Sequence, residues 1–150
     1  MASTFTSLLY HLVFSTKERQ PIIDAAWRDD LCAYIGGILA AEGGKLLCAG
    51  GVSDHVHLVV LTKASRSVSQ TVGTIKANSS KWVNETCPLL ARFEWQRGYA
   101  AFSIGLQGLP TLRSYIAQQE KHHSTASYRE ELVDLLERHG LDYDERFVLG

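Results

Sequence analysis

The chain of 150 residues holds little cysteine and no pairing pattern for it: Cys32, Cys48 and Cys87 are odd in number and share no ligand spacing. That excludes a disulfide framework and a zinc knuckle, leaving the three as small buried or half-buried apolar residues. A basic stretch ahead of an apolar opening run is also missing, and no apolar run is long enough to cross a bilayer. Leu8 to Phe14 is interrupted by Tyr10 and His11, and the uncharged stretch Gly98 to Leu112 is broken by Gly105, Gly108 and Pro110. A cytoplasmic protein with no membrane association is expected. Repeats and low-complexity segments are lacking too. Net charge is only −1, so the chain as a whole does not advertise a nucleic-acid binder. The distribution is uneven, however. Residues 1–119 hold 11 Lys+Arg against 8 Asp+Glu, while residues 120–150 hold 4 against 8. A mildly basic body with an acidic tail restricts any nucleic-acid site to a local patch whose affinity falls steeply with salt.

What is present suits one domain over residues 1–150, with 45% hydrophobic and 21% charged residues. Ser7 to Ser15 reads as a first strand, followed by the charged loop Lys17–Pro21. Asp24 can cap a helix to about Glu42, with Trp27, Leu31, Tyr34, Ile38 and Leu39 as its apolar stripe. Lys45–Ala49 and His55–Leu61 form a strand pair across Gly50–Asp54. Ser67-Val-Ser-Gln70 is a capping box opening a helix to about Glu85, with Val68, Val72, Ile75 and Val83 inward and Lys76, Ser79, Ser80 and Lys81 mostly outward. Phe93 to Ile104 reads as a long strand region. Pro110 sits at the first turn of a third helix running to about His123, and Ser127-Tyr-Arg-Glu130 opens a last one with Leu132, Leu135 and Leu136 inward. The tail 141–150 is irregular or a short strand. The first six elements, β-α-β-β-α-β, match the α+β ferredoxin-like (split βαβ) arrangement, an antiparallel sheet with two helices on one face; the later helices are additional.

The stretch Gly51-Val-Ser-Asp-His-Val-His-Leu-Val-Val-Leu61 carries the chemistry. Strand side chains alternate, so His55, His57 and Val59 share one face while Val56, Leu58 and Val60 share the other. Two imidazoles so placed can converge on one metal ion, or they can simply face solvent. On the third helix Tyr115 and Gln119 lie one turn apart on one face, where they can meet such a metal, or serve as a core-flanking aromatic and a solvated glutamine.

Tyr10-His-Leu-Val-Phe-Ser-Thr-Lys-Glu-Arg-Gln-Pro21, Ser53-Asp-His-Val-His-Leu-Val-Val60, Ser67-Val-Ser69 with Ile75-Lys-Ala-Asn-Ser-Ser-Lys81, Phe93–Ser103 and Tyr115-Ile-Ala-Gln-Gln-Glu-Lys-His-His123 occur in an order, with flanks, that resembles the single-tyrosine HUH transposases of bacterial insertion sequences, which include the REP-associated tyrosine transposases. Tyr143–Arg146 also resembles the family's tail. The one departure is Ser53, where proline is expected; it alters the turn. The resemblance implies a fold in which C-terminal helices carry the nucleophile. It makes His55, His57 and Gln119 the metal ligands and Tyr115 the nucleophile, with Mg²⁺ or Mn²⁺ as cofactor. It also implies a homodimer in which Tyr115 is delivered to the partner's histidines or swings between subunits.

A tyrosine nucleophile suits strand transfer because a phosphotyrosine link keeps the energy of the broken phosphodiester. Free tyrosine ionises near pH 10 and needs help at neutral pH, and a divalent Lewis acid supplies it. Both histidines must be unprotonated to bind, so activity is expected to fall below about pH 6. Tyr128 and Tyr143 lack a glutamine four residues on. Lys17, Arg19, Lys76, Ser80, Lys81 and Arg97 are candidate DNA contacts, with Trp95 or Tyr99 for base stacking; each reads equally as an ordinary surface or core residue. His122 and His123 form a solvated helix end or a second layer behind the ligands. The leading reading is a metal-assisted transposase acting on single-stranded DNA with hairpin ends. The alternatives are a domesticated regulator that binds structured nucleic acid and, less well supported, a two-histidine phosphoesterase.

Overall fold

The computed structural model describes residues 3–149. Four strands, β1 (Leu9–Ser15), β2 (Lys45–Gly51), β3 (His55–Leu61) and β4 (Ala100–Ile104), form one antiparallel sheet in the order β2-β3-β1-β4. This is the expected ferredoxin-like order. Helices α1 (Ala25–Ala41) and α2 (Val68–Thr86) cover one face. Their buried residues Leu31, Ile35, Val72 and Ile75 close on Leu12, Phe14, Val56, Leu58 and Val60 in the main core. Asp24 accepts from the Ala26 N–H at 2.8 Å, and both halves of the Ser67–Gln70 capping box form.

The other face of the sheet is covered as well. The helices α3 (Leu109–Ala117), α4 (Gln119–His122) and α5 (Tyr128–Arg138) follow β4. Tyr128, Leu132 and Leu135 of α5 join Val13 and Phe102 in a second, smaller core. The strand histidines are therefore sealed between a sheet and a helical layer.

Several expectations are corrected by the structure. The first-helix stripe runs through Ile35, while Tyr34 is 39% exposed and stacks on Trp82 at the surface. The region Phe93–Ile104 is a strand only from Ala100. Before it the backbone makes one isolated antiparallel bridge, Trp95 with Thr16, and side chains satisfy neighbouring groups: Asn84 bonds both Phe93 N–H and its carbonyl, and Lys76 donates to the carbonyls of Gln96 and Gly98 at 2.8 and 2.6 Å. Ser79, expected outward, is fully buried and accepts from the Trp95 indole N–H at 2.9 Å. The expected single helix to His123 breaks at Gln118 (φ −106°, ψ 24°), which separates α3 from α4. The described tail residues 141–149 are irregular, one of the two expected forms, and Val148 packs on the second core.

Candidate active site

Register decides which β1 side chains meet the histidines. Val13 lies opposite His57 and Ser15 opposite His55, so His11, two residues before Val13, shares their face. His11 Nε2 lies 2.8 Å from His57 Nδ1 in a buried contact, and the rings stack. Burial above all, reinforced by neighbouring His57, lowers the His11 pKa to about 3 and keeps it neutral. The interaction orients His57 so that its Nε2 points to the site.

Across the face lies α3. Its last turn reaches the site because β2 has Gly50 there: a Cβ at Gly50 would stand 2.7 Å from the Ile116 carbonyl oxygen and 2.8 Å from Ile116 Cγ2. The close approach seats Tyr115, whose ring centroid is 5.8 Å from that of His57. The break at Gln118 then turns Gln119 inward, only 2% exposed, with Oε1 3.2 Å from His55 Nε2. The structure thus gathers His55, His57, Tyr115 and Gln119 at one place.

A fifth member comes from α5. Glu131 is 7% exposed, and its Oε1 lies 3.0 Å from His55 Nε2 and 2.9 Å from His57 Nε2. Its Oε2 accepts from the Gln119 amide at 3.0 Å and from the Tyr115 hydroxyl. Burial opposes ionisation of Glu131, but the hydrogen bonds from His55 and His57 outweigh it and hold the carboxyl far below its usual range. Burial lowers the pKa of His57. For His55 burial acts the same way, yet hydrogen bonds to Asp54 and Glu131 outweigh it and the pKa is raised. Tyr115 is raised by burial and then by the negative Glu131 beside its hydroxyl, so the phenol is held protonated. One ligand atom from each of His55, His57 and Glu131 lies within 4.8 Å of the others, a spacing that fits a single cation.

Glu131 was legible in part. With Tyr128, Leu132 and Leu135 it makes an i, i+3, i+4, i+7 stripe that is otherwise apolar, and a carboxylate on such a stripe requires buried partners. His11 gave no signal in one dimension, because only strand register brings it to His57.

The remaining expected contacts are dispersed. Lys17 pairs with Glu94 at 3.1 Å on the surface. Arg19 is exposed, in left-handed backbone together with Glu18 (φ 54° and 56°). It lines a groove of about 460 Å³ with Arg28, Asp54, His123 and Tyr128. Lys76, Ser80 and Lys81 ride on α2, which covers the opposite face of the sheet; Lys76 is engaged by loop carbonyls, while Lys81 and Arg97 are exposed. Trp95 is 8% exposed and set edge-on to Phe14 and Phe93, so its ring is core and not a stacking platform. Tyr99 is 39% exposed. His123 is no solvated helix end: its ring stands 4.5 Å from that of His55.

A family model described as "Transposase IS200 like" matches residues 4–119, which include His55, His57, Tyr115 and Gln119. The chain belongs to the IS200-like transposase family. It is 26% identical over 124 residues to the transposase for insertion sequence element IS200 of Salmonella typhimurium, covering 79% of this chain and 81% of that one, and equally to its Salmonella typhi counterpart. Its fold is that of a candidate transposase from Deinococcus radiodurans (TM-score 0.64, 21% identity, 79% of this chain and 95% of that one). It is also that of a REP-associated tyrosine transposase bound to a REP hairpin (TM-score 0.60, 13% identity, 84% and 76%). Membership makes the chain a DNA-cleaving enzyme by family. Among the described residues no helix is long and apolar enough to cross a membrane.

Proposed function

We propose that this IS200-like transposase nicks and rejoins single-stranded DNA at hairpin-bearing element ends through a covalent link to Tyr115, with Mg²⁺ or Mn²⁺ at His55, His57 and Gln119. The observation that carries the reading is the Tyr115 hydroxyl set against Glu131, the same carboxylate that touches His55 and His57. Membership of the family supports the reaction class, and the fold shared with a hairpin-bound transposase supports the form of substrate. The Tyr115 hydroxyl gives up its proton as its oxygen bonds to phosphorus, the bond to the 3′-oxygen breaks, and that oxygen takes up a proton to leave as a 3′-hydroxyl, so one proton is lost and one gained. In the resting chain burial and Glu131 keep the phenol protonated, so the nucleophile is silent. A divalent ion, when bound, would polarise the phosphate and offset the charge that forms on it. His11 and Asp54 hold the two imidazoles in place. The enzyme acts as a homodimer, as its likeness to the single-tyrosine transposases implies.

The test is covalent capture. Wild type, incubated with labelled single-stranded DNA carrying hairpin ends and Mn²⁺, is expected to give an adduct on denaturing gels, and Tyr115→Phe none. Hairpin binding with no wild-type adduct would turn the reading to a nucleic-acid-binding regulator. An adduct that survives in Tyr115→Phe would mean another nucleophile.

A further inference from the structure

A second cleft lies one ring away from the site. Tyr128 stands 4.5 Å from His55, ring centre to ring centre, and it also lines a cavity of about 200 Å³ between the loop before β4, helix α5 and the tail. That volume falls below the roughly 300–1,000 Å³ of sites for larger small molecules and suits one flat ring system. Leu132 and Leu136 give it apolar sides. Tyr99, 39% exposed, and Phe147, 67% exposed, stand at its mouth. Two aromatic rings from separate segments, both left to water at one cavity, lack the partner that would bury them.

One polar group interrupts this lining. Gln96 brings an amide to the cavity, and its hydrogen bonds fix which end faces inward. Its Oε1 accepts from the buried Ser15 N–H at 2.6 Å and from the Tyr128 hydroxyl at 3.4 Å. A backbone N–H only donates, so the atom beside it is the oxygen and the NH₂ lies at the other end. There Nε2 borders Gly98, where a Cβ would come within 3.7 Å of it, and it meets no acceptor among the described residues. The cavity thus offers flat apolar walls and an unspent donor. Lys76 braces this wall: Nζ donates to the carbonyls of Gln96 and Gly98 and stands 5.9 Å from the Tyr99 ring centre. Arg97, exposed and between two of the lining residues, sets a cation beside the opening.

We infer that this cavity takes one unpaired base of the DNA strand beside the cleavage site, and that it selects a keto base, guanine or thymine, over adenine and cytosine. Tyr99 and Phe147 stack on the faces of any base, because every base has a π-face. The edge makes the choice. A base entering with its sugar outside leads with the groups farthest from the sugar. Guanine then presents O6 and thymine O4, which accept from the Gln96 NH₂, whereas adenine and cytosine present amino groups, donor against donor. Arg97 is placed for the phosphate of the same nucleotide. Phe147 lies beyond residues 4–119, the stretch that the family model matches, so the acidic tail gains a part in choosing the substrate. The inference rests on the reading above that the chain handles single-stranded DNA.

The experiment follows, by fluorescence anisotropy in EDTA, the binding of labelled single-stranded decamers of abasic residues that carry one central guanine, thymine, adenine or cytosine. A fully abasic decamer reports the phosphate contacts alone. Wild type should bind the guanine and thymine probes about tenfold more tightly than the other two. Phe147→Ala should weaken both keto probes about fivefold or more and leave the abasic decamer unchanged. Gln96→Glu keeps an oxygen for the Ser15 N–H but replaces the donor with an acceptor, so the keto preference should vanish or invert. A preference for only one of the two keto bases would uphold the inference and name the base. Four bases bound within about twofold of one another by wild type, tighter binding of adenine and cytosine, or a keto preference untouched in either variant, overturns it. Far-ultraviolet circular dichroism identifies a misfolded variant; should Gln96→Glu fail to fold, Phe147→Ala, altered at an exposed side chain, decides alone. Adduct formation with Mn²⁺ is scored on the same wild-type preparation. Keto-selective binding without an adduct would defeat the strand-transfer reading only, whereas an adduct with no base preference would defeat this inference only.

Discussion

His11 and His55 are both buried on the same face of the sheet, yet their surroundings act on them in opposite senses. For His11 burial dominates and the neighbouring His57 imidazole adds to it, outweighing the opposing Glu131 charge, and its pKa falls to about 3. As pH drops below 6.5 the unfolded chain takes up that proton first, so the stability His11 confers is present above 6.5 and lost toward 3. His57, also lowered, acts in the same direction, and so does Glu131, whose contribution is lost as pH falls from its ordinary 4.5. His55 is raised by Asp54 and Glu131, so its contribution is complete below 6.5 and is lost as pH rises through its folded value. Metal-free protein should therefore unfold at its highest temperature close to the ordinary histidine value of 6.5 and less well on either side. Mn²⁺ bound at the histidines of the proposed site would displace the proton that Asp54 and Glu131 favour on His55, and should abolish the alkaline decline. Thermal unfolding from acid to mildly alkaline pH, with and without Mn²⁺, checks this; a metal-free melting temperature that climbs steadily into the alkaline range would contradict it. Asp54→Asn removes a group that raises His55, and should start the alkaline decline at lower pH.

Among the elements, α3 has the least freedom, because it is seated against backbone at Gly50. Gly50→Ala would put a methyl 2.7 Å from the Ile116 carbonyl oxygen, closer than atoms tolerate, so the helix must move. Overpacking of this kind costs about 1–3 kcal/mol, which a domain stable by about 5–15 kcal/mol survives. Catalysis is more sensitive, since a displacement of about 1 Å at a reacting group can cost roughly a hundredfold. Gly50→Ala should thus fold, bind hairpin DNA as wild type does, and form adduct about ten- to a hundredfold more slowly in single-turnover assays. An unchanged adduct rate would mean that Tyr115 does not depend on this packing. The same region shows where a one-dimensional reading stops. Tyr115 and Gln119 were legible as residues one turn apart, but the break at Gln118 was not. Nothing in Tyr-Ile-Ala-Gln-Gln signals a stop; the interruption comes from Gln119 being drawn between His55 and Glu131. Likewise the ladder expected over Phe93–Gly98 shrinks to the single bridge at Trp95 and is supplemented by Lys76 and Asn84, whose distant bonds no local pattern announces.

On the scale of the whole molecule, strand order followed from the sequence because hairpin and crossover lengths allow few alternatives, whereas the purpose of the acidic tail did not. Residues 120–149 are not a solvating appendage. They lay Tyr128, Leu132 and Leu135 on the second face of the sheet and bring in Glu131. That packing also bears on how two subunits would share the work. Tyr115 touches Glu131 and His57 of its own chain, so the residues of the proposed site gather within one subunit, in contrast to the exchange of helices between partners that the family resemblance implies. Mixing Tyr115→Phe with His57→Ala after co-refolding distinguishes the two arrangements. If each subunit uses its own tyrosine, every site in a mixed dimer lacks one of the two groups, and no adduct forms. If tyrosines are exchanged, one of the two sites in each mixed dimer is whole, and random pairing of a symmetric dimer restores about a quarter of the wild-type yield. The contacts of Tyr115 lead to the first result for the initial cleavage. A restored quarter would instead show that α3 leaves its own sheet before the first strand is cut.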